Sequence, residues 1–337
     1  MNYALLLVSA SLLVFLLTGI LRKYALSRSL LDIPNERSSH SVPTPRGGGV
    51  SIVLVFILSL PYLMISDVLP VDIVIAYVGT GAGVALIGFL DDHGHIAARW
   101  RLLAHLLAAA WALFWIGGMP PVLVLGHTID LYWIGQVLAL LYLVWMLNLY
   151  NFMDGINGLA SIEAITVSLG GSLLLYLYGD IQNLWLLPII LVATVSGFIF
   201  WNFPVAKIFM GDACSGFLGI ILGMFTIQIA WEYPFMLWSW FILLGVFIVD
   251  ATITLLSRII KGEKFYEAHC SHAYQIASRK YNSHITVSIA VGVINVLWLL
   301  PIANFVRLDW LNGILGVLIA YLPLIWLVIY FRAKENI

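Results

Sequence analysis

The chain has 337 residues, 62% of them hydrophobic and only 10% charged, with a formal net charge of −1. Soluble domains carry about 25% charged residues, so this composition excludes a water-solvated globule. The near-neutral balance gives no bulk attraction to nucleic acid, which is not an expected partner. Cys214 and Cys270 show neither metal nor disulfide spacing and read as reduced thiols.

A helix that crosses a bilayer needs about 20 predominantly apolar residues. Eleven segments approach this, near 3–21, 47–66, 71–90, 100–118, 131–150, 158–178, 183–201, 213–231, 236–258, 285–304 and 311–331. Glycine and proline interrupt the pattern in the sixth and seventh. The first segment lacks the basic leading region of a secretory signal and is long enough to span, so it reads as a retained helix. The expected fold class is therefore all-α: a polytopic integral membrane protein with about 11 transmembrane helices, forming one domain over residues 1–337.

The charges orient it. Of the 16 Lys and Arg residues, all except Arg307 fall in the odd-numbered connections or the C-terminal tail. Cytoplasmic connections carry the excess of Lys and Arg, which puts the N-terminus in the periplasm and the C-terminus in the cytoplasm. The even connections are short and hold isolated acids such as Asp67, Asp130, Asp180 and Asp309. The polar motifs all lie on the cytoplasmic side, in connections near 22–46, 91–99, 151–157, 202–212 and 259–284.

In chain order, the first connection holds Arg37, His40 and Arg46 around a Pro-rich turn, followed by Gly47, Gly48 and Gly49. The arginines suit an anionic lipid surface. The glycines would let backbone N–H groups approach an anion. Asp91 and Asp92 follow at the end of the third segment. They are either a solvated helix end or a cation site, since hard cations prefer carboxylate oxygen. Asn148, Asn151 and Asp154 recur every three residues and would share one helix face. Asn157 stands where it can cap the next helix. Asp212 precedes the eighth segment, as a plain cap or as a carboxylate beside a phosphate at a helix N-terminus. His269 and His272 lie in the basic ninth connection. Their spacing alone does not make a zinc site, but imidazoles can hold phosphate oxygens. Two acids fall inside segments: Asp250 in the ninth and Glu163 in the sixth. Intramembrane acids are functional candidates, though Glu163 reads better as a satisfied polar contact.

Together the Pro-Arg-Gly-Gly turn, the Asp-Asp pair, NLYNFMDGINGLA, the Gly-Asp turn and HCSHAYQ resemble the polyprenyl-phosphate N-acetylhexosamine-1-phosphate transferase superfamily, over about residues 32–285. The last segment is most similar to the branch that initiates bacterial O-antigen. The resemblance implies catalytic roles for Asp91, Asp92 and Asp154, and metal binding by Asn151 and Asp212. It implies substrate binding by Arg37, His40, Arg46, Arg101, Asn148, Asn157, His269 and His272. Some relatives carry Asp where this chain has Asn157, so that position takes a supporting role. The implied cofactor is magnesium, Mg2+, with Mn2+ as a substitute. The implied partners are a UDP-N-acetylhexosamine donor, undecaprenyl phosphate as acceptor and membrane lipid, with a homodimer left open. The implied location is the bacterial cytoplasmic (inner) membrane.

On this reading the acceptor phosphate attacks the sugar-side phosphorus and UMP leaves. The second pKa of a phosphate is about 6, so a base has little proton to remove at neutral pH. Positioning and electrostatics then outweigh general-base catalysis by Asp91. The alternatives are the phospho-MurNAc-pentapeptide step of peptidoglycan synthesis and a secondary transporter. A transporter would gather its polar groups near the membrane midplane.

Overall fold

The computed structural model describes residues 3–34, 39, 42–94, 96–180, 183–263 and 270–335. Arg37, His40 and His269 lie outside these residues. The described chain is almost wholly helical. Its helices are α1 Tyr3–Ser27, α2 Val50–Ile65, α3 Val71–Gly94, α4 Ala98–Ile116, α5 Tyr132–Met153, α6 Leu159–Tyr178 and α7 Leu186–Asn202. They continue with α8 Asp212–Glu232, α9 Met236–Leu243, α10 Gly245–Ile260, α11 Ala273–Tyr281, α12 His284–Ile294, α13 Leu300–Arg307 and α14 Gly313–Glu335. Two small antiparallel pairs complete it: β1 Leu31–Asp32 with β2 Thr44–Pro45, and β3 Val122–Val124 with β4 His127–Ile129.

Each of the eleven apolar segments is helical, but they are not equivalent. Seven helices or helix runs among the described residues are long and apolar enough to cross a membrane. An eighth is the pair α9 and α10, bent by 68°. Helices α2, α4 and α7 occupy the remaining places but are shorter or less apolar. Length and composition thus support a polytopic membrane protein. The ninth segment, expected as one helix over 236–258, breaks at Leu244. The tenth carries a π-helical turn, Asn295–Leu299, between α12 and α13.

Helix α8 is the axis of the molecule, buried continuously from Ala213 to Ala230. Lipid tails are as apolar as leucine, so helices in a bilayer associate through close packing of small residues and interhelical hydrogen bonds. Both are present. A Cβ on Gly219 of α8 would stand 2.3 Å from the Met146 carbonyl of α5. A Cβ on Gly88 of α3 would stand 2.6 Å from backbone atoms of Asp212 and Ala213. Tyr77 donates to Gln228 Oε1 (2.6 Å), and Tyr142 to Thr226 Oγ1 (3.0 Å). Each such bond contributes about 0.6 kcal/mol.

Glu163 is a buried polar contact, as its position in α6 suggested. Its Oε2 accepts from Asn295 Nδ2 at 2.6 Å, and Thr166 Oγ1 accepts from the same amide at 2.8 Å. The network ties α6 to the π turn, where the irregular backbone presents Asn295.

Candidate active site

The close approach at Gly88 determines the site. With no side chain there, the last turn of α3 lies against the first turn of α8. Asp91 and Asp92 follow within that turn. Asp92 Oδ2 accepts the backbone N–H of Asp212 at 3.1 Å, and the carboxylate also accepts from Ala213 N–H. A helix begins with unsatisfied N–H groups, and here a carboxylate from another helix supplies the acceptor. Two sequence expectations change. The residue preceding α8 is Gly211, not Asp212, and it sits in the left-handed region at φ +85°. The N-terminus of α8 is occupied by Asp92, so its first N–H groups do not offer a phosphate cradle.

The glycine run of the first connection is also reassigned. Gly48 N–H donates to the Phe209 carbonyl and Gly49 N–H to Met210, both at 2.9 Å. Phe209 N–H returns to Pro45 at 2.8 Å. A Cβ on Gly49 would meet that of Cys214 at 2.3 Å. Gly48 and Gly49 therefore pack the entrance of α2 onto the turn before α8 and bind no anion through these N–H groups. This packing delivers Arg46, whose guanidinium lies 3.6 Å from Asp92 Oδ1 and also donates to the Asp92 carbonyl.

Asp91 pairs with Arg101 of α4, and its Oδ1 accepts from Ile96 N–H at 2.8 Å. From the other side, the end of α5 brings Asn151, whose side chain bonds to the Asp212 carboxylate. Asp154 is the residue that ends α5. Burial, with the Asp212 and Asp92 carboxylates nearby, pushes the Asp154 carboxyl well above the usual carboxylate range. Four acids from three helix ends thus act on one another, with Arg46 and Arg101 as partial compensation. Like charges this close raise each other's energy unless a cation joins them.

The cluster opens onto a cavity of about 560 Å³. Asp91, Arg101, Asn148, Asn151 and Asp212 line its polar part. Leu141, Val144 and Trp145, one or more turns back along α5, line the apolar part with Leu102 and Leu255. His105, one turn after Arg101 in α4, also lines it. It was not singled out from sequence, although the i, i+4 spacing from Arg101 is the signal that would have found it.

Among the described site residues, Arg46, Asp92, Asp154, Asn157 and His272 do not line the cavity. Asn157 does not cap α6; Gly158 takes that place with φ +76°. Asn202 Oδ1 instead accepts the Gly158 N–H at 2.8 Å, while Asn157 Nδ2 donates to Pro204 at 3.3 Å. Asn202 is a support that sequence reading missed. His272 is buried at the start of α11, with Nδ1 3.4 Å from Asp250 Oδ1. Asp250 also accepts the Ala273 and Tyr274 N–H groups at 2.9 and 3.0 Å. Asp250 therefore anchors the far end of the histidine connection. From there the Tyr274 hydroxyl reaches the Phe152 carbonyl at 2.9 Å, filling the space that a Cβ on Gly155 would need.

Fold and site together define a polytopic helical membrane protein with an acid-rich centre at one end of an apolar cavity. Residues 74–230, from α3 to α8, match Glycosyl transferase family 4. The superfamily expected from the motifs is the one found. The chain is 26% identical over 291 residues to the probable undecaprenyl-phosphate N-acetylglucosaminyl 1-phosphate transferase of Bacillus subtilis, covering 84% of this chain and 80% of that one. It is 27% identical over 281 residues to the undecaprenyl-phosphate alpha-N-acetylglucosaminyl 1-phosphate transferase of Thermotoga maritima, covering 82% and 83%. It is also 27% identical over 276 residues to the phospho-N-acetylmuramoyl-pentapeptide-transferase of Bacillus licheniformis, covering 76% and 82%.

Proposed function

We propose that the protein is an Mg2+-dependent phosphotransferase of the bacterial cytoplasmic membrane. It moves an N-acetylhexosamine-1-phosphate from a UDP-sugar to undecaprenyl phosphate, as the first membrane step of O-antigen or a related cell-surface polysaccharide. The observation that carries this reading is the cavity itself: carboxylates, amides and Arg101 at one end, and an apolar wall running back along α5. That shape suits an acceptor with a phosphate at one end of a long apolar chain. The relatives named as sugar-1-phosphate transferases support it and leave the transporter alternative without support.

The balance of the reaction is simple. An oxygen of the acceptor phosphate forms a bond to the sugar-side phosphorus of the donor, and the bond from that phosphorus to the bridging oxygen breaks. UMP leaves with the bridging oxygen. Arg101 is placed to hold the acceptor phosphate, because it shares the cavity with Asp91. Arg46, on the other flank of Asp92, is placed for the donor's diphosphate. Asp91 and Asp92 repel free anions and hold the two arginines in place. The reaction is thus favoured by positioning and charge compensation.

The oxygen-donor set suits magnesium. Among the described residues no three Asp, Glu, His or Cys side chains converge into a closed metal cage. Mg2+ typically binds through one or two carboxylates plus substrate phosphates, and the contacting pair of Asp212 and Asn151 is such a partial set. When bound there it would neutralise charge on the diphosphate and improve UMP as a leaving group. Membrane lipid surrounds the protein.

The test is a panel of UDP-sugars offered to purified protein with undecaprenyl phosphate, with Mg2+ or with chelator. UMP release that needs acceptor, metal and one N-acetylhexosamine donor is expected. Release only with UDP-MurNAc-pentapeptide would move the protein to the peptidoglycan step. No release with any donor would overturn the reading.

A further inference from the structure

A second cavity lies at the same end of the bundle, beyond α10. That helix contributes Leu255 to the first cavity and Val246 and Asp250 to the second, so it stands between them. The second cavity measures about 140 Å³. Helix α12 supplies Val287 and Val291, α14 supplies Leu324 and Val328, and α11 lies across the end with Ala277. The outer faces of α12 and α14 are apolar and exposed, as at Ile289, Val293 and Leu322, so the groove opens sideways to the bilayer. The lining is predominantly apolar, with Asp250 taken up by the Ala273 and Tyr274 N–H groups, and a lipid chain is the apolar material at hand.

The mouth of the groove is not apolar. Lys280, exposed at the end of α11, places Nζ 5.6 Å from the ring centre of Tyr281, 5.2 Å from Tyr330 and 5.5 Å from Phe331. Tyr281 and Phe331 also line the groove. Among the described residues Lys280 forms no ion pair. The three rings attract the ammonium through their faces, but an ammonium has three N–H donors and these faces give it no oxygen acceptor. A cation held in this way at the end of an apolar groove is complementary to a phosphate at the end of an acyl chain.

We infer that the groove between α12 and α14 is a binding site for an anionic glycerophospholipid of the surrounding bilayer. One acyl chain lies in the groove and the headgroup phosphate rests on Lys280. The site is separate from the reaction cavity, and its occupant is not the acceptor. Because α11 forms its roof and also carries Tyr274, the lipid braces the helix that touches the turn at Phe152.

The test reads bound lipid rather than turnover, so its outcome is independent of the transferase reading. The full chain is reconstituted in nanodiscs containing phosphatidylglycerol and phosphatidylcholine, and the lipid that stays bound after release into detergent is identified by native mass spectrometry. The wild type is expected to retain phosphatidylglycerol in preference to phosphatidylcholine. Lys280→Glu should lower that retention several-fold. Ala290→Trp, which fills the groove wall, should remove both lipids alike. Thermal melting of each variant checks folding, and for the wild type added phosphatidylglycerol should raise Tm while phosphatidylcholine should not. Equal retention of the two lipids by the wild type, or unchanged retention in both variants, would overturn the inference. So would displacement of the bound lipid by equimolar undecaprenyl phosphate, which would make the groove part of the acceptor's path.

Discussion

Asp92 has two tasks that most carboxylates do not combine. It supplies the acceptor for the first N–H groups of α8, and it holds Arg46 beside the acid cluster. Asparagine can still accept those N–H bonds but cannot hold the arginine by charge. Asp92→Asn should therefore leave Tm nearly unchanged and lower UMP release by about 10²-fold, the scale of losing one preorganised electrostatic group. Asp92→Leu removes the cap as well, and its Tm should fall by several degrees. Equal melting of the two variants would remove the capping role. Asp212 and Asn151 give a different signature, because they contact each other and face the cavity. Asp212→Asn and Asn151→Ala should each cut turnover by on the order of 10²-fold or more. Raising Mg2+ should partly restore the weaker variant. Near-normal turnover at low Mg2+ in either would show that the residue is no ligand.

At the level of helices, the site depends on how closely α3 meets α8. A Cβ on Gly88 would collide with backbone at 2.6 Å, which cannot swing aside as a side chain can. Gly88→Val should cost about 1–3 kcal/mol in stability and separate Asp91 and Asp92 from Asp212, so melting temperature and turnover fall together. Gly83 lies on the same helix with nothing within 4 Å of its would-be Cβ. Gly83→Val should be close to neutral in both measurements. If the two variants behave alike, the backbone contact at Gly88 does not hold the cluster together.

For the whole molecule, the open matter is which face of the membrane carries the acid cluster. Fifteen of sixteen basic residues lie in odd-numbered connections or the tail, and the expectation from that asymmetry is a cytoplasmic cluster. Starting from Cys270→Ser, with Cys214 buried, single cysteines can be placed at exposed positions. Val42→Cys and Gly94→Cys should react with an impermeant maleimide only after the membrane is opened. Thr128→Cys and Trp310→Cys should react in intact cells. The reverse pattern would place the cluster outside, away from any cytoplasmic nucleotide sugar.

Hydropathy alone located the apolar segments that form the bundle, though not α11 in the polar ninth connection, because a helix in lipid must satisfy its own backbone and cover itself with apolar side chains. That requirement is local and is written into each segment. The short motifs were legible for the same reason: Asn148, Asn151 and Asp154 are brought to one helix end by spacing alone. Other features were decided by tertiary structure. Asp92 caps a helix 120 residues away, Gly48 and Gly49 bond to Phe209 and Met210, and Asp250 grips His272 and the start of α11. The bend at Leu244 likewise divides the ninth apolar segment into two helices. These outcomes depend on which helices lie side by side, and that is settled by backbone-to-backbone fit at small residues such as Gly88 and Gly219, which apolar periodicity does not encode.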